Sequence, residues 1–261
     1  MKIIACIKQV PDSEAKVRAE GGRVSWGDAP LVINPFDEYA VEGALQQKEA
    51  TSGTVTALCV GPESAREALK HALAMGADEA VLVSDPALNE LDTAGAARVL
   101  AAAIQKIGAD MVVFGRQTLD NGAGITPAQT ARILGWPMLG LAGQIKASDG
   151  SASSPKGVTV ERVIEEGRQT VSAKLPAVVS VVQSIGEPRY PSFMGIRKAS
   201  KANIPVWSLS DLGVSAPEAL VKRVELMNPP VQQTSIEIIS GESPAEIAEK
   251  LVDKILAEKV L

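Results

Sequence analysis

The sequence predicts an α/β fold: an open, mostly parallel sheet with helices on both faces, followed by a C-terminal arm. Three observations carry this. Short aliphatic runs alternate with helix-like stretches through the first 140 residues. Three of those stretches stop at a glycine, a good helix C-terminal signal. Apolar residues make up 46 % of the 261-residue chain but aromatic residues only 3 %. The core must therefore be built from Ala, Val, Leu and Ile, the composition of strands buried on both faces.

The runs Ile3–Ile7, Val55–Val60, Ala80–Val83 and Met111–Phe114 read as buried strands. Helices are expected from Asp37 through Leu45, over Ser64–Met75 before Gly76, over Thr93–Ile107 before Gly108, and over Pro127–Leu134 before Gly135. Strand and helix in alternation argue for a parallel sheet covered on both sides. From Gln144 to Gly167 the pattern changes to alternation with turn signals, and the stretch from Ser148 to Pro155 reads as a hairpin or loop. Val178–Val182 reads as the final strand. Beyond Glu187-Pro188 the chain turns irregular and basic, with Arg189, Arg197, Lys198 and Lys201. A last helix is expected over Pro244–Glu258, with Ser243 as N-cap and Glu246 completing a capping box. This divides the chain into an α/β domain, 1–189, and an arm, 190–261, that needs another surface to lie on.

Composition excludes several functions. The net charge is −5, so no basic field suits nucleic acid. No segment approaches the ~20 apolar residues of a membrane span, and the apolar run of MKIIACIKQV is too short for a signal-peptide core. Cys6 and Cys59 sit in apolar runs, as buried thiols of a reducing compartment do. The expectation is a soluble protein of the cytoplasm. The single histidine, His71, falls inside a helix, so no Ser-His-Asp set forms around it. The cysteines have no metal-ligand spacing. Glu165-Glu166 are either paired carboxylates or a solvated edge. What remains is a set of binding groups with almost no acid–base machinery, as befits a protein whose cofactor does the chemistry.

The strongest local pattern is Gly115-Arg116-Gln117-Thr118-Leu119-Asp120-Asn121-Gly122-Ala123-Gly124-Ile125-Thr126, between a strand and a helix. Ligands of open parallel sheets bind beyond the C-terminal strand ends, glycines admit close backbone approach, and a helix N-terminus suits phosphate. The stretch is neither G-x-G-x-x-G nor a P-loop, so it is either a nucleotide-phosphate loop or an ordinary strand-to-helix connection. The loop from Cys6 to Asp12 and the Val60-Gly61-Pro62 corner end neighbouring strands; they are either candidate walls of the same site or, as where Pro11 breaks the first strand, plain exit turns. Asn34-Pro35-Phe36-Asp37 precedes the first helix and reads either as a cap or, through Phe36, as a contact for a planar ligand.

The run Val160-Glu161-Arg162-Val163-Ile164-Glu165-Glu166-Gly167-Arg168-Gln169-Thr170-Val171, continuing through Pro176 to Ser180, resembles the signature of electron-transfer flavoprotein beta subunits. Arg162, the Glu165-Glu166-Gly167 triplet, Gln169, Val171 and Pro176 fill its places. The likeness extends to Cys6-Ile7-Lys8, Asn34-Pro35-Phe36, Leu73–Asp78, Gly115–Thr126 and Glu187-Pro188-Arg189-Tyr190. Such a likeness implies a Rossmann-like, adenine-nucleotide-binding fold and a non-enzymatic carrier that pairs with an alpha subunit. It implies an FAD shared with that subunit and an AMP held by Cys6, Asn34–Asp37, Val60 and Gly115–Thr126. It implies electrons arriving from flavoprotein dehydrogenases, such as the acyl-CoA dehydrogenases of fatty acid β-oxidation, and leaving toward a quinone oxidoreductase. Docking of those partners would fall to Tyr190, Phe193, Met194, Arg197 and Lys198. The electron-bifurcating branch of the family implies the alternative, a second FAD in the beta pocket that accepts hydride from NADH. Asn121-Gly122-Ala123-Gly124 departs from the more acidic stretch common in the family.

Overall fold

A computed structural model describes residues 1–88, 91–148, 150, 156–221, 223–230 and 236–258. In chain order it forms β1 (Lys2–Ile7), β2 (Gln9–Pro11), β3 (Arg18–Glu20), β4 (Arg23–Ser25), β5 (Leu31–Ile33), α1 (Pro35–Thr51), β6 (Thr54–Val60), α2 (Arg66–Met75), β7 (Glu79–Val83), α3 (Thr93–Ile107), β8 (Met111–Gly115) and α4 (Thr126–Leu134). It continues with β9 (Met138–Ser148), β10 (Gly157–Ile164), β11 (Gly167–Lys174), β12 (Ala177–Val181), α5 (Phe193–Ser200), β13 (Val206–Trp207), α6 (Leu209–Leu212) and α7 (Pro244–Ala257).

Nine strands form one sheet in the order β11-β10-β9-β12-β8-β1-β6-β7-β13. The strands from β9 to β13 in that row run parallel, and β10 and β11 add an antiparallel edge. Alternation along β1 shows why both faces are covered. Ile3, Ala5 and Ile7 pack in a cluster with α1 and α2, while Ile4 and Cys6 pack in a second cluster with α3 and α4. Successive side chains of a strand point to opposite faces, so an unbroken aliphatic run needs helices on each side. The chain moves outward from β1 through β6 to β7 and then crosses back to place β8 on the other flank of β1. That reversal opens a crevice at the carboxyl ends of β1, β6 and β8.

The expected strands and helices of the first 140 residues are present with most ends within two residues; the first helix runs on six residues past Leu45 to Thr51, and the helix expected over Ser64–Met75 begins as a short 3-10 turn at Glu63–Ala65. Three expectations are corrected. The run Val178–Val182 forms β12, but it is not the last strand: Val206–Trp207 adds to the opposite edge beside β7. Two residues are too short a run to register as a period. The basic stretch after Pro188 is not irregular throughout, because α5 forms there. Its N-cap Ser192 accepts the Gly195 N–H at 2.9 Å, and Arg197 and Lys198 stand in its last turn, where cations suit the helix dipole. At the final helix Ser243 accepts the Glu246 N–H, but the Glu246 carboxylate takes the N–H of Glu242 rather than that of Ser243. The expected turn over 148–155 falls almost wholly outside the described residues. Glu165-Glu166 form the exposed two-residue turn between β10 and β11.

Backbone contacts divide the chain into Met1–Glu225 and Leu226–Leu261. The second unit carries α7, whose Leu251, Val252 and Leu256 are exposed. Among the described residues no helix is long and apolar enough to cross a membrane.

One buried polar residue fastens the far half of β9 to α1. β12 pairs with β9 only as far as Ala142. Beyond that point the Gln47 amide of α1 takes the place of a strand: its Nε2 donates to the Ile145 carbonyl at 3.0 Å and its Oε1 accepts the Ala147 N–H at 3.0 Å. Gln47 is 4 % exposed, so water cannot replace it. Gln47→Leu keeps the volume but strands two backbone groups, the buried Ile145 carbonyl and the part-buried Ala147 N–H. It is expected to lower stability by about 2 kcal/mol, measured as a shift of the urea unfolding midpoint at unchanged slope.

Candidate functional site

The crevice is organised by the start of α1. Asn34 precedes Pro35, which holds it extended, and Pro35 at the first helical turn lacks an N–H that would otherwise need a partner. Asn34 is fully buried and does not cap its own helix. Its N–H donates to the Lys8 carbonyl at 2.8 Å, its Nδ2 donates to the Gln117 carbonyl at 2.9 Å, and its Oδ1 accepts the Leu119 N–H at 3.1 Å. One turn on, the Asp37 carboxylate accepts the N–H of Lys8 at 2.8 Å and that of Gly115. The loops that leave β1 and β8 are thus fastened to one helix end.

Gly115 is required by this closeness. A Cβ there would stand 2.5 Å from both the Asp37 carboxylate and the Phe36 carbonyl. The loop after it turns twice through left-handed backbone, at Gly122 (φ 61°) and Gly124 (φ 64°), which only glycine adopts without strain. Asn121 Oδ1 accepts the Thr118 hydroxyl at 2.9 Å and the Ala123 N–H at 3.2 Å, closing the turn. Asp120 pairs with the Lys8 ammonium.

Together these loops wall a pocket of about 350 Å³. Its lining is partly apolar, with Leu88, Leu91, Ala96, Leu100, Val60 and Pro62, and partly polar, with Lys8, Gln9, Arg116, Thr118 and Asn121. Thr126 and Pro127 of α4 also line it, and no side chain caps the start of that helix, so its first N–H groups and its positive dipole end are available to an anion. Asp92 caps α3, accepting the Gly95 N–H at 2.7 Å, and also takes the N–H groups of Leu220 and Val221 at 2.6 and 3.1 Å. Those bonds, the Gly95 N–H foremost, hold its carboxyl below the usual range.

Burial sets the protonation of the interior. It pushes the Asp37 carboxyl up to about 7, against the hydrogen bonds from Asn34, Lys8 and Gly115 that pull it down. Burial, with Asp37 beside it, raises the Cys6 thiol well above its ordinary value and the Cys59 thiol to about 12. Both are neutral thiols, and a neutral thiol is a poor nucleophile. Burial also raises Asp120, but the hydrogen bonds from Lys8 and Thr118 outweigh it and leave that carboxyl below its usual range.

Of the residues singled out in the sequence, Cys6, Asp37, Val60, Gly115, Arg116, Gln117, Thr118, Asn121, Ala123, Gly124 and Thr126 line the pocket. Asn34, Pro35, Phe36, Leu119, Asp120, Gly122 and Ile125 do not; Asn34 and Asp120 stand behind the wall and hold its lining in place. Phe36 is half-buried and meets Gly115 through its carbonyl. The wall from the start of α3 and the two residues before it (Leu91, Asp92, Thr93, Ala96 and Leu100) escaped sequence reasoning. Its signal was the Asp92-Thr93 cap following the strand end of β7, one strand further along the same sheet edge. His71 lies outside the pocket, paired with Glu38 at 2.9 Å. Tyr190, Phe193 and Met194 are 88, 81 and 69 % exposed, beside the exposed Arg197 and Lys198. In the signature run, Arg162 of β10 donates to the Gly140 carbonyl of β9 at 3.0 Å and to Gln169 of β11 at 3.2 Å, so that its guanidinium joins all three strands of the sheet edge.

Two outcomes are expected from this geometry. Because Asp37 is raised from 3.8 to about 7 on folding, the folded state keeps a proton that the unfolded state loses. The Asp37 contribution is most favourable below pH ~4 and declines toward pH ~7, by about 1.4 kcal/mol per pH unit within that window. Urea unfolding between pH 5 and pH 8 should show this decline, and Asp37→Asn should flatten it. Gly115→Ala forces the strand end off α1 and should lower stability by about 1–3 kcal/mol, read by the same unfolding curves.

Comparison with known proteins agrees along the whole chain. Residues 27–212 match the electron transfer flavoprotein domain. The chain is 36 % identical to the electron transfer flavoprotein subunit beta of Mycobacterium leprae over 271 residues, covering 99 % of each. It is 33 % identical to the subunit beta of Bacillus subtilis over 261 residues, covering 99 % of this chain and 98 % of that one. It is 34 % identical, over the full length of both, to subunit CarD of the caffeyl-CoA reductase-Etf complex of Acetobacterium woodii. A domain match over most of the chain and full-length likeness to named beta subunits place this protein in the electron transfer flavoprotein family, among its beta subunits.

Proposed function

We propose that this chain is the carrier-type beta subunit of a heterodimer, not itself an enzyme, and that its pocket holds AMP while an FAD is shared with the alpha subunit. The observation that supports this most is the pocket at the carboxyl ends of β1, β6 and β8, whose lining combines apolar side chains with cationic and amide donors. A mononucleotide suits it. The volume of about 350 Å³ lies at the lower end of the range of small-molecule sites. Leu91, Ala96, Leu100 and Val60 would hold the flat ring. Lys8, Arg116 and the uncapped start of α4 would hold the phosphate. FAD, when bound, supplies the redox chemistry of the complex. The chain's own residues bind, orient and exclude water.

In this reading residues 190–261 serve partners. The segment Tyr190–Lys198 docks flavoprotein dehydrogenases such as acyl-CoA dehydrogenases, and the electrons pass on to a quinone oxidoreductase. The remainder, with α7, lies on the alpha subunit. The likeness to a subunit of the caffeyl-CoA reductase-Etf complex favours a second reading, in which the same pocket takes an FAD that accepts hydride from NADH.

Denaturing the purified heterodimer and quantifying released nucleotides tests both. One FAD and one AMP per dimer is the expected result. Two FAD and no AMP would move the chain to the second reading, and no adenine nucleotide beyond the shared FAD would overturn the assignment of the pocket. Lys8→Met removes a pocket cation and should lower the AMP recovered several-fold while leaving the shared FAD.

A further inference from the structure

The exposed apolar residues of α5 belong to a segment that is fixed at both ends by contacts unrelated to the pocket. At one end Arg189 is clamped on α1. Its Nε donates to Glu42 Oε2 at 2.8 Å, its Nη2 to Glu42 Oε1 at 3.1 Å, and its backbone N–H to Glu42 Oε2 at 3.2 Å. Its Nη1 reaches Glu49 at 2.6 Å. The Glu42 side chain is 7 % exposed, and that of Glu49 61 %, so the Glu42 pair dominates: exposed pairs contribute little, whereas a buried carboxylate left unpaired is costly. Burial raises Glu42, but the Arg189 and Gln46 hydrogen bonds outweigh it and keep the carboxyl ionised below its usual range.

At the other end α5 lies against the C-terminal turn of α2. Gly195 is the contact: a Cβ there would stand 2.3 Å from the Ala74 carbonyl oxygen. Between and beside these two points Tyr190, Phe193, Met194 and Ile196 project from the surface at 88, 81, 69 and 54 % exposure, rimmed by Arg197, Lys198 and Lys201. An apolar cluster with a basic rim fits a folded protein partner that offers an apolar socket edged with carboxylates.

We propose that Arg189 and Gly195 are positioning residues for this surface. They pin the segment 189–200 to α1 and α2, so that the apolar side chains are set before a partner arrives. Neither residue need touch the partner. Fixing a loop in its bound form removes the ordering cost from association. The buried Glu42 supplies the two-pronged geometry that only a guanidinium matches. The proposal rests on the reading of Tyr190–Lys198 as a docking segment.

The test uses the heterodimer co-expressed with its alpha partner, in three variants: Arg189→Lys, which keeps the charge but loses the fork; Gly195→Ala, which favours helix by propensity but collides with α2; and Phe193→Ala, which removes an apolar anchor. Amide hydrogen exchange over 190–200 is measured, together with KM and kcat for reduction of the bound flavin by an acyl-CoA dehydrogenase charged with its acyl-CoA. Nucleotide content equal to wild type marks a folded dimer, and if Arg189→Lys fails that check Gly195→Ala alone decides. Arg189→Lys and Gly195→Ala are expected to speed exchange about ten-fold and to raise KM about ten-fold with kcat within about two-fold. Phe193→Ala is expected to raise KM with exchange unchanged. If Phe193→Ala raises KM while the other two leave KM and exchange at wild-type values, the positioning role is overturned and the docking segment stands. If all three leave KM unchanged, the docking reading fails and the positioning role with it.

Discussion

The structure depends on a single helix end. Asn34 and Asp37 gather the chain after β1 and the chain after β8 onto the first turn of α1. Parallel strands cannot be joined by tight turns, so their ends are separate loops with no covalent reason to meet. Here they meet because one amide and one carboxylate, both buried, satisfy backbone groups from each. A buried carboxylate is costly in apolar surroundings, and the raised Asp37 value shows that cost. It is the price of drawing Gly115 to within van der Waals range of α1.

The same constraint explains the composition of the pocket. Its lining includes the strand-end residues Cys6, Val60, Phe114 and Gly115, and the clamp leaves no room for a side chain at Gly115 itself. Lys8 stands in the pocket with its charge already shared with Asp120. The site therefore presents a modest, partly neutralised positive end and an apolar slot, an arrangement that suits holding a ligand still.

Much of this was legible in the sequence. The aliphatic runs located the strands of the parallel core, since a run buried on both faces has no alternation to misread. Gly76, Gly108 and Gly135 marked helix ends. The loop from Gly115 to Thr126 stood out, as either a binding loop or an ordinary connection, from its place between strand and helix, and most of it lines the pocket. Other features were hidden for physical reasons. Asn34 before Pro35 looks like a cap, and nothing local reveals that its amide instead spans to Gln117 and Leu119, more than 80 residues away. The α3 wall is built of ordinary Leu and Ala, whose place on the pocket depends on where the sheet edge sets the helix. β13 is two residues long and exists only because β7 offers an open edge.

Gln47 gives α1 a further character. The helix is gripped at its first turn by the strand-end loops, near its middle through Glu42 by Arg189, and at Gln47 by the edge of β9. From Asn34 to Gln47 is about 20 Å of helix at the usual rise. Three grips at fixed phase make α1 a length standard for the molecule. Adding or removing one residue between them would rotate the far grips by roughly 100° and release them. Substitutions can accumulate on its solvent side, but its residue count is frozen. The spacing between Asn34, Glu42 and Gln47 is thus a measurement that the chain carries of its own sheet.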